Sequence, residues 1–242
     1  MASTSSPVDL SNPGRRLRVG VILVNSKTEI LDVAPVDIFS GISKAFLPNL
    51  PGFMMSDKMR DEALDVEFFW VNESGDHAEL TGGMSVKPTH TFETCPPLDI
   101  ALMGAHDAGY MLSPGEIAFI RKTHDDCAAF IAICGGFLCV LQAGLLAGKT
   151  ATAPRPFVAH LRNSNPEVNW VEKRYVRDGK IWTSGALLNG VDLVAAFAEE
   201  FWGGGVGKGK EKAEPNDLVE FSLRLGAYPR RDVEYRDVPW VI

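Results

Sequence analysis

AAFIAICGGFLCVLQAGLLAG, residues 128–148, joins a short apolar run to a Gly-Gly turn and then to a helical pattern. Residues 129–133 are apolar and hold two isoleucines, a run too short for a membrane span and suited to a strand buried on both faces. Phe137, Leu138, Leu141, Leu145 and Leu146 then recur at helical spacing, with Gly144 and Gly148 loosening the end. The order strand, sharp turn, helix sets Cys134 on the turn. A residue there is forced toward a strained backbone, and Gly135 and Gly136 let the main chain approach a ligand without side-chain obstruction. The N–H groups and dipole of the following helix point back at the sulfur, which predicts a thiol shifted toward thiolate. Cys134 is therefore the candidate nucleophile.

The other cysteines lack such a setting. Cys95, Cys127 and Cys139 have neither CxxC nor zinc-ligand spacing and read as buried or loop thiols, so neither a metal site nor a cofactor is predicted. Four cysteines without framework spacing in 242 residues predict a reducing compartment. A formal charge of −7 argues against a nucleic-acid surface, and 45% hydrophobic residues suffice for a substantial core. Residues 1–14 are polar and lack the apolar segment of a signal peptide, and no run is long enough to span a membrane. The expectation is a cytoplasmic protein that acts on a small molecule, with no nucleic-acid or membrane partner.

Strands are predicted at 17–24, 66–71, 99–103, 129–133, 171–176 and 180–183, and helices at 35–45, 113–123 (opened by Ser113-Pro114-Gly115-Glu116), after Cys134, and at 191–202. Their alternation predicts an α/β fold with a mainly parallel sheet covered on both faces, in which ligands bind at the carboxyl ends of strands. Residues 1–16 read as a disordered N-terminus and 17–242 as one domain. Within it, 46–64 reads as an insertion or lid, 203–215 as a flexible loop, and 216–242 as a docked C-terminal segment, too apolar to be a free tail.

The blocks RVGVILV, LDVAPVDIFSG, PPLDIALMGA, AAFIAICGGFLCVLQAGLLAGKTAT and GKIWTSGALLNGVDLVAAFAEEF follow one another over about residues 17–202. In this order they resemble the ThiJ/PfpI superfamily, the class I glutamine-amidotransferase-like group that includes isocyanide hydratases and the Parkinsonism-associated deglycase; the WTSG block is most similar to fungal members. The resemblance implies a flavodoxin-like three-layer sandwich, Cys134 at a nucleophile elbow, and a homodimer. It also implies an acid from the first loop bonded to the cysteine. Asp32 fits best, with Glu29 the alternative, because the family's Leu-Asp-x-x-Gly-Pro is one residue longer than Leu31-Asp32-Val33-Ala34-Pro35.

Met103-Gly104-Ala105 stands where the family has Pro-Gly-Gly, so the backbone N–H groups of Gly104 and Ala105, with that of Gly135, are expected to form an anion pocket beside the sulfur. His106 and Asp107 follow in loop positions able to face that pocket and tune substrate choice. Where many members read Ala-Thr-x-His, this chain reads Ala151-Thr152-Ala153-Pro154, and proline cannot serve as a base. Arg155 and His160 lie close by, but Pro154 and Pro156 precede the histidine. An ordinary Cys-His hydrolase is thus disfavoured.

The implied function is a cofactor-independent lyase or hydrolase in which Cys134 attacks a small electrophilic carbon. Hydration of an isocyanide, R–NC, to an N-formamide leads, together with related steps of secondary metabolism. The alternatives are glyoxalase or deglycase activity on 2-oxoaldehydes, and a non-enzymatic cysteine redox sensor or protective protein.

Overall fold

The apolar runs of the sequence become the strands of one sheet. A computed structural model describes residues 7–203 and 217–238. Strands β1 (Leu17–Ile22), β2 (Val66–Asn72), β3 (His90–Thr91), β4 (Ile100–Met103), β5 (Ala129–Ala132), β6 (Tyr175–Asp178) and β7 (Ile181–Ser184) lie in the order β6-β7-β5-β4-β1-β2-β3. Every neighbouring pair is parallel except β6 and β7, which form an edge hairpin turning at Gly179 with φ 62°. The helices are α1 (Ile30–Val33), α2 (Val36–Gly41), α3 (Asp57–Glu62), α4 (Pro114–Asp126), α5 (Phe137–Gln142), α6 (Arg155–Ser164), α7 (Asn189–Trp202) and α8 (Leu218–Leu225).

Strand alternation divides the interior into two cores. Ile100, Leu102, Ile131 and Ile133 face one side with Ile38, Phe39, Leu193 and Phe197, whereas Ala101, Met103, Phe130 and Ala132 face the other with Ile120, Val140 and Val158. Helices α2, α3, α7 and α8 therefore cover one face, and α4, α5 and α6 the other. The result is the expected three-layer α/β sandwich. Chain connections leave β1 over the first face and β4 over the second, which opens a crevice at the carboxyl ends of the strands.

Several elements differ from the sequence reading. The helix expected at 35–45 is the shorter α2, which is preceded by the separate turn α1 and ends at Gly41, and beyond it Ser43 bridges to Leu64. Helix α4 runs on to Asp126, its start held by a full capping box between Ser113 and Glu116. Of the N-terminus expected to be disordered, residues 1–6 lie outside the described residues, but Leu10 is buried in the core and Arg15 binds Asp99 through both terminal nitrogens. Trp202 Nε1–H donates to the Leu10 carbonyl, so packing orders a stretch that composition alone leaves free.

Segment 46–64 is not a lid over its own chain's site. Leu47, Met55, Met59 and Ala63 are buried, and the segment returns at the amino end of β2, opposite the crevice. The loop expected at 203–215 lies, beyond Gly203, outside the described residues, as does Trp240. Of the C-terminal segment, α8 packs on α2, α3 and α7, and Tyr235 is buried. Among the described residues, no helix is long and apolar enough to cross a membrane.

Candidate active site

Four loops, following β1, β4, β5 and β7, meet at the crevice, and glycines let them close up. A Cβ on Gly104 would stand 2.8 Å from Asp32 Cβ, and one on Gly135 3.0 Å from Ala105 Cβ. On Gly136 it would stand 2.5 Å from the Met103 carbonyl oxygen, a backbone atom fixed by the sheet. Gly136→Ala is accordingly expected to destabilise the fold by roughly 1–3 kcal/mol, read as a lowered Tm in scanning calorimetry.

Cys134 opens a single 3-10 turn (Cys134–Gly136) with φ 54°, a left-handed backbone that L side chains adopt at a cost of about 1 kcal/mol or more. The turn is held by Ile133 N–H donating to the Met103 carbonyl (2.9 Å) and Gly136 N–H to the Ile133 carbonyl (2.8 Å). Strain at this position is what the strand-turn-helix pattern predicts.

Beside it lies Asp32, fully buried on α1. Its Oδ2 accepts a 2.9 Å hydrogen bond from the Ala105 N–H. Oδ1 is buried with no partner of normal hydrogen-bond geometry, although the Cys134 thiol and the Leu187 amide are close enough to favour the ionised form. Burial outweighs these contacts, with a small addition from the charge of Glu29, and pushes the carboxyl up to about 7.

The thiol does not become the thiolate expected from its turn. Burial pushes it up to about 11, and the charge of Asp32 adds to the rise; the amides of Leu187 and Gly135 only partly oppose it. The helix behind the sulfur is one 3-10 turn and the six-residue α5, too short to offset the loss of water. Cys134 and Asp32 thus titrate as a coupled pair, in which the sulfur keeps its proton while the carboxyl ionises near neutrality.

The remaining predicted residues divide. Glu29 is engaged elsewhere, its Oε1 accepting from Thr81 Oγ1 at 2.9 Å and its N–H donating to the Ala105 carbonyl, so Asp32 is the acid against the sulfur. Gly135 presents its amide to the sulfur, but the Ala105 amide is committed to Asp32, which removes it from the expected anion pocket. Gly104 serves by its missing side chain.

Asp107 is tied to the loop after β1 through Ser26, and His106 Nδ1 lies 3.1 Å from the Asp107 carbonyl with its ring against Tyr110. Neither bonds to Cys134 or Asp32. Arg155 pairs with Glu172 at 2.7 Å and stacks over Tyr235, and His160 is exposed on α6. Among the described residues, no histidine is hydrogen-bonded to Cys134 or Asp32. Because loss of a true general base costs about a hundredfold or more, His160→Ala should leave turnover within about twofold, as steady-state kinetics would record.

Sequence reasoning missed Leu187. It lies in the loop after β7 with φ 47°, and its amide faces both acidic groups. Nothing in a leucine announces a left-handed backbone; only its place in the GALLNG block hints at a tight turn. Among the described residues, no group of three or more His, Cys, Asp or Glu is arranged to hold a metal ion.

The parallel sandwich agrees with comparison to known proteins. Residues 53–200 match the DJ-1/PfpI family, and the chain belongs to it. The chain is 34% identical over 152 residues to isonitrile hydratase from Pseudomonas putida; the match covers 62% of each, less than two thirds of that relative's length. Similar folds include DJ-1beta from Drosophila melanogaster (TM-score 0.63, 14% identity, 89% of this chain and 100% of that one) and a ThiJ/PfpI family protein from Pseudomonas syringae (TM-score 0.62, 17% identity, 90% and 77%).

Proposed function

We propose that this protein is a cofactor-independent hydro-lyase that adds water to an isonitrile and releases an N-formamide. The observation that carries the reading is the Cys134–Asp32 pair: a thiol on a strained turn, with a buried carboxyl titrating near neutrality beside it. The likeness to isonitrile hydratase supports it. Leu31, next to Asp32 on α1, and Leu187 and Leu188 in the turn after β7 leave apolar side chains exposed, a surface that a nonpolar substituent R is expected to contact.

The chemistry needs one mobile proton. As Cys134 Sγ bonds the terminal carbon of R–N≡C, the thiol proton passes through Asp32 to that same carbon, giving the thioimidate R–N=CH–S–Cys. Water then adds to this carbon, Asp32 taking a proton from the water and delivering it to nitrogen. The adduct R–NH–CH(OH)–S–Cys breaks its C–S bond, its hydroxyl proton returns to sulfur, and R–NH–CHO leaves.

A Cys134 hemithioacetal would serve 2-oxoaldehydes through the same two residues, and this is the second reading. The redox-sensor reading uses the same sulfur and differs in needing peroxide in place of an organic substrate. Wild type and Cys134→Ala would be incubated with an aryl isonitrile, methylglyoxal and glyoxal, and the products followed by mass spectrometry. Cysteine-dependent formamide is expected; cysteine-dependent hydroxy acid, or no turnover, would overturn the hydratase reading.

Association of two copies is part of the proposal. An apolar groove lined by Pro35, Trp70, Met84 and Val86 adjoins α1, and its lining supplies the kind of surface a partner copy covers. Sedimentation velocity at micromolar concentration is expected to give a dimer, and a monomer would overturn it.

A further inference from the structure

We propose that the C-terminal strap, residues 228–238, is a positioning element for the Cys134–Asp32 pair, acting through Tyr235 and Asn189 on the left-handed turn at Leu187. The inference rests on the reading of that pair as the reactive centre. Its basis is a continuous set of contacts from the strap to the turn.

Tyr235, itself at φ 60° and 9% exposed, places its hydroxyl oxygen to accept from Asn189 Nδ2 at 2.9 Å. Asn189 begins α7 directly after the turn, and its N–H donates to the Ala186 carbonyl while that of Gly190 donates to the Leu187 carbonyl. A Cβ on Gly185 would stand 2.6 Å from both the Tyr235 hydroxyl and Asn189 Nδ2. The strap therefore presses on the turn at both ends, leaving the loop room for glycine only.

A buried cation fixes the strap in turn. Arg174 is 3% exposed; its Nε–H donates to the Asp232 carbonyl, one terminal nitrogen to Asn189 Oδ1 (3.3 Å) and the other to Asp237 Oδ1 (2.6 Å), and the guanidinium lies 4.7 Å over the Tyr235 ring. Its backbone joins the same parts, Arg174 N–H donating to the Val233 carbonyl and Gly185 N–H to the Arg174 carbonyl. Burying a guanidinium stabilises a fold weakly, so partners drawn from the strap, this loop and the first residue of α7 point to geometry as its contribution. The Leu187 amide, which faces both the sulfur and the carboxyl, is what this geometry aims.

The test is alkylation of Cys134 by iodoacetamide at pH 8, resolved by peptide mass spectrometry, in wild type, Tyr235→Phe and Asp237→Asn. Tyr235→Phe keeps the ring over Arg174 and removes only the hydroxyl; Asp237→Asn weakens the hold on the cation from an exposed position. Losing the aimed amide raises the thiol pKa, so each variant is expected to alkylate more slowly by about threefold, half a pH unit of thiolate population, with its thermal transition still cooperative. A turn that was merely loosened would expose the sulfur and speed the reaction. Rates unchanged or faster in both variants would overturn the proposal. The measurement needs no substrate, so a failed hydratase assay leaves it intact.

Discussion

Cys134→Ser is expected to abolish formamide production, lowering kcat/KM by roughly four orders of magnitude or more while leaving the thermal transition nearly in place. Serine has nearly the volume of cysteine and fits the same turn, so packing against Gly135 and the sheet is retained. What is lost is a soft nucleophile whose proton can be removed by a neighbouring carboxyl; a hydroxyl is far too weak an acid for Asp32 to take its proton. Cys134→Gly sharpens the test. It also removes the sulfur, but a glycine at φ 54° relieves the left-handed strain and should stabilise the fold by about 1 kcal/mol. Residual turnover above a few per cent in either variant would displace Cys134 from the centre of the mechanism.

Asp32→Asn is expected to lower kcat by about 10²–10⁴-fold and, at the same time, to stabilise the protein above pH 7. The two effects share one cause. The folded carboxyl titrates at about 7 against an ordinary 3.8, so between these values the folded state binds more protons than the unfolded state. Stability contributed by protonated Asp32 is therefore complete below about pH 4 and is lost as pH rises through about 7. At full ionisation the penalty is on the order of a few kcal/mol. Asparagine keeps an oxygen for the Ala105 amide and carries no charge to bury. Its advantage over wild type should be absent at pH 4, grow through pH 5–7 and level off by pH 8, as Tm measurements across that range would record. A variant less stable than wild type at pH 8 would mean that the buried carboxylate is better solvated than its surroundings indicate.

The fold was legible because its signals are local. Ile131 and Ile133 recur on one face of a strand that is apolar on both, Ser113 and Glu116 close a capping box three residues apart, and Gly135-Gly136 mark a turn that larger side chains would block. The position of Cys134 follows from the same stretch, as does the want of a histidine at Pro154.

Sequence by itself therefore determined the layered α/β architecture, the strained cysteine and the field of two candidate acids. Only tertiary structure separates Asp32 from Glu29, since the two lie within one turn of the chain and only packing shows that Thr81 engages one while the other is buried against the sulfur. It also reversed the expected thiolate, because desolvation depends on how completely distant segments exclude water from Cys134 and Asp32. The left-handed turn at Leu187 and its clamp by Tyr235 had no local signature. A leucine reaches positive φ only where surrounding contacts over-determine the backbone, and those contacts join residues nearly fifty positions apart.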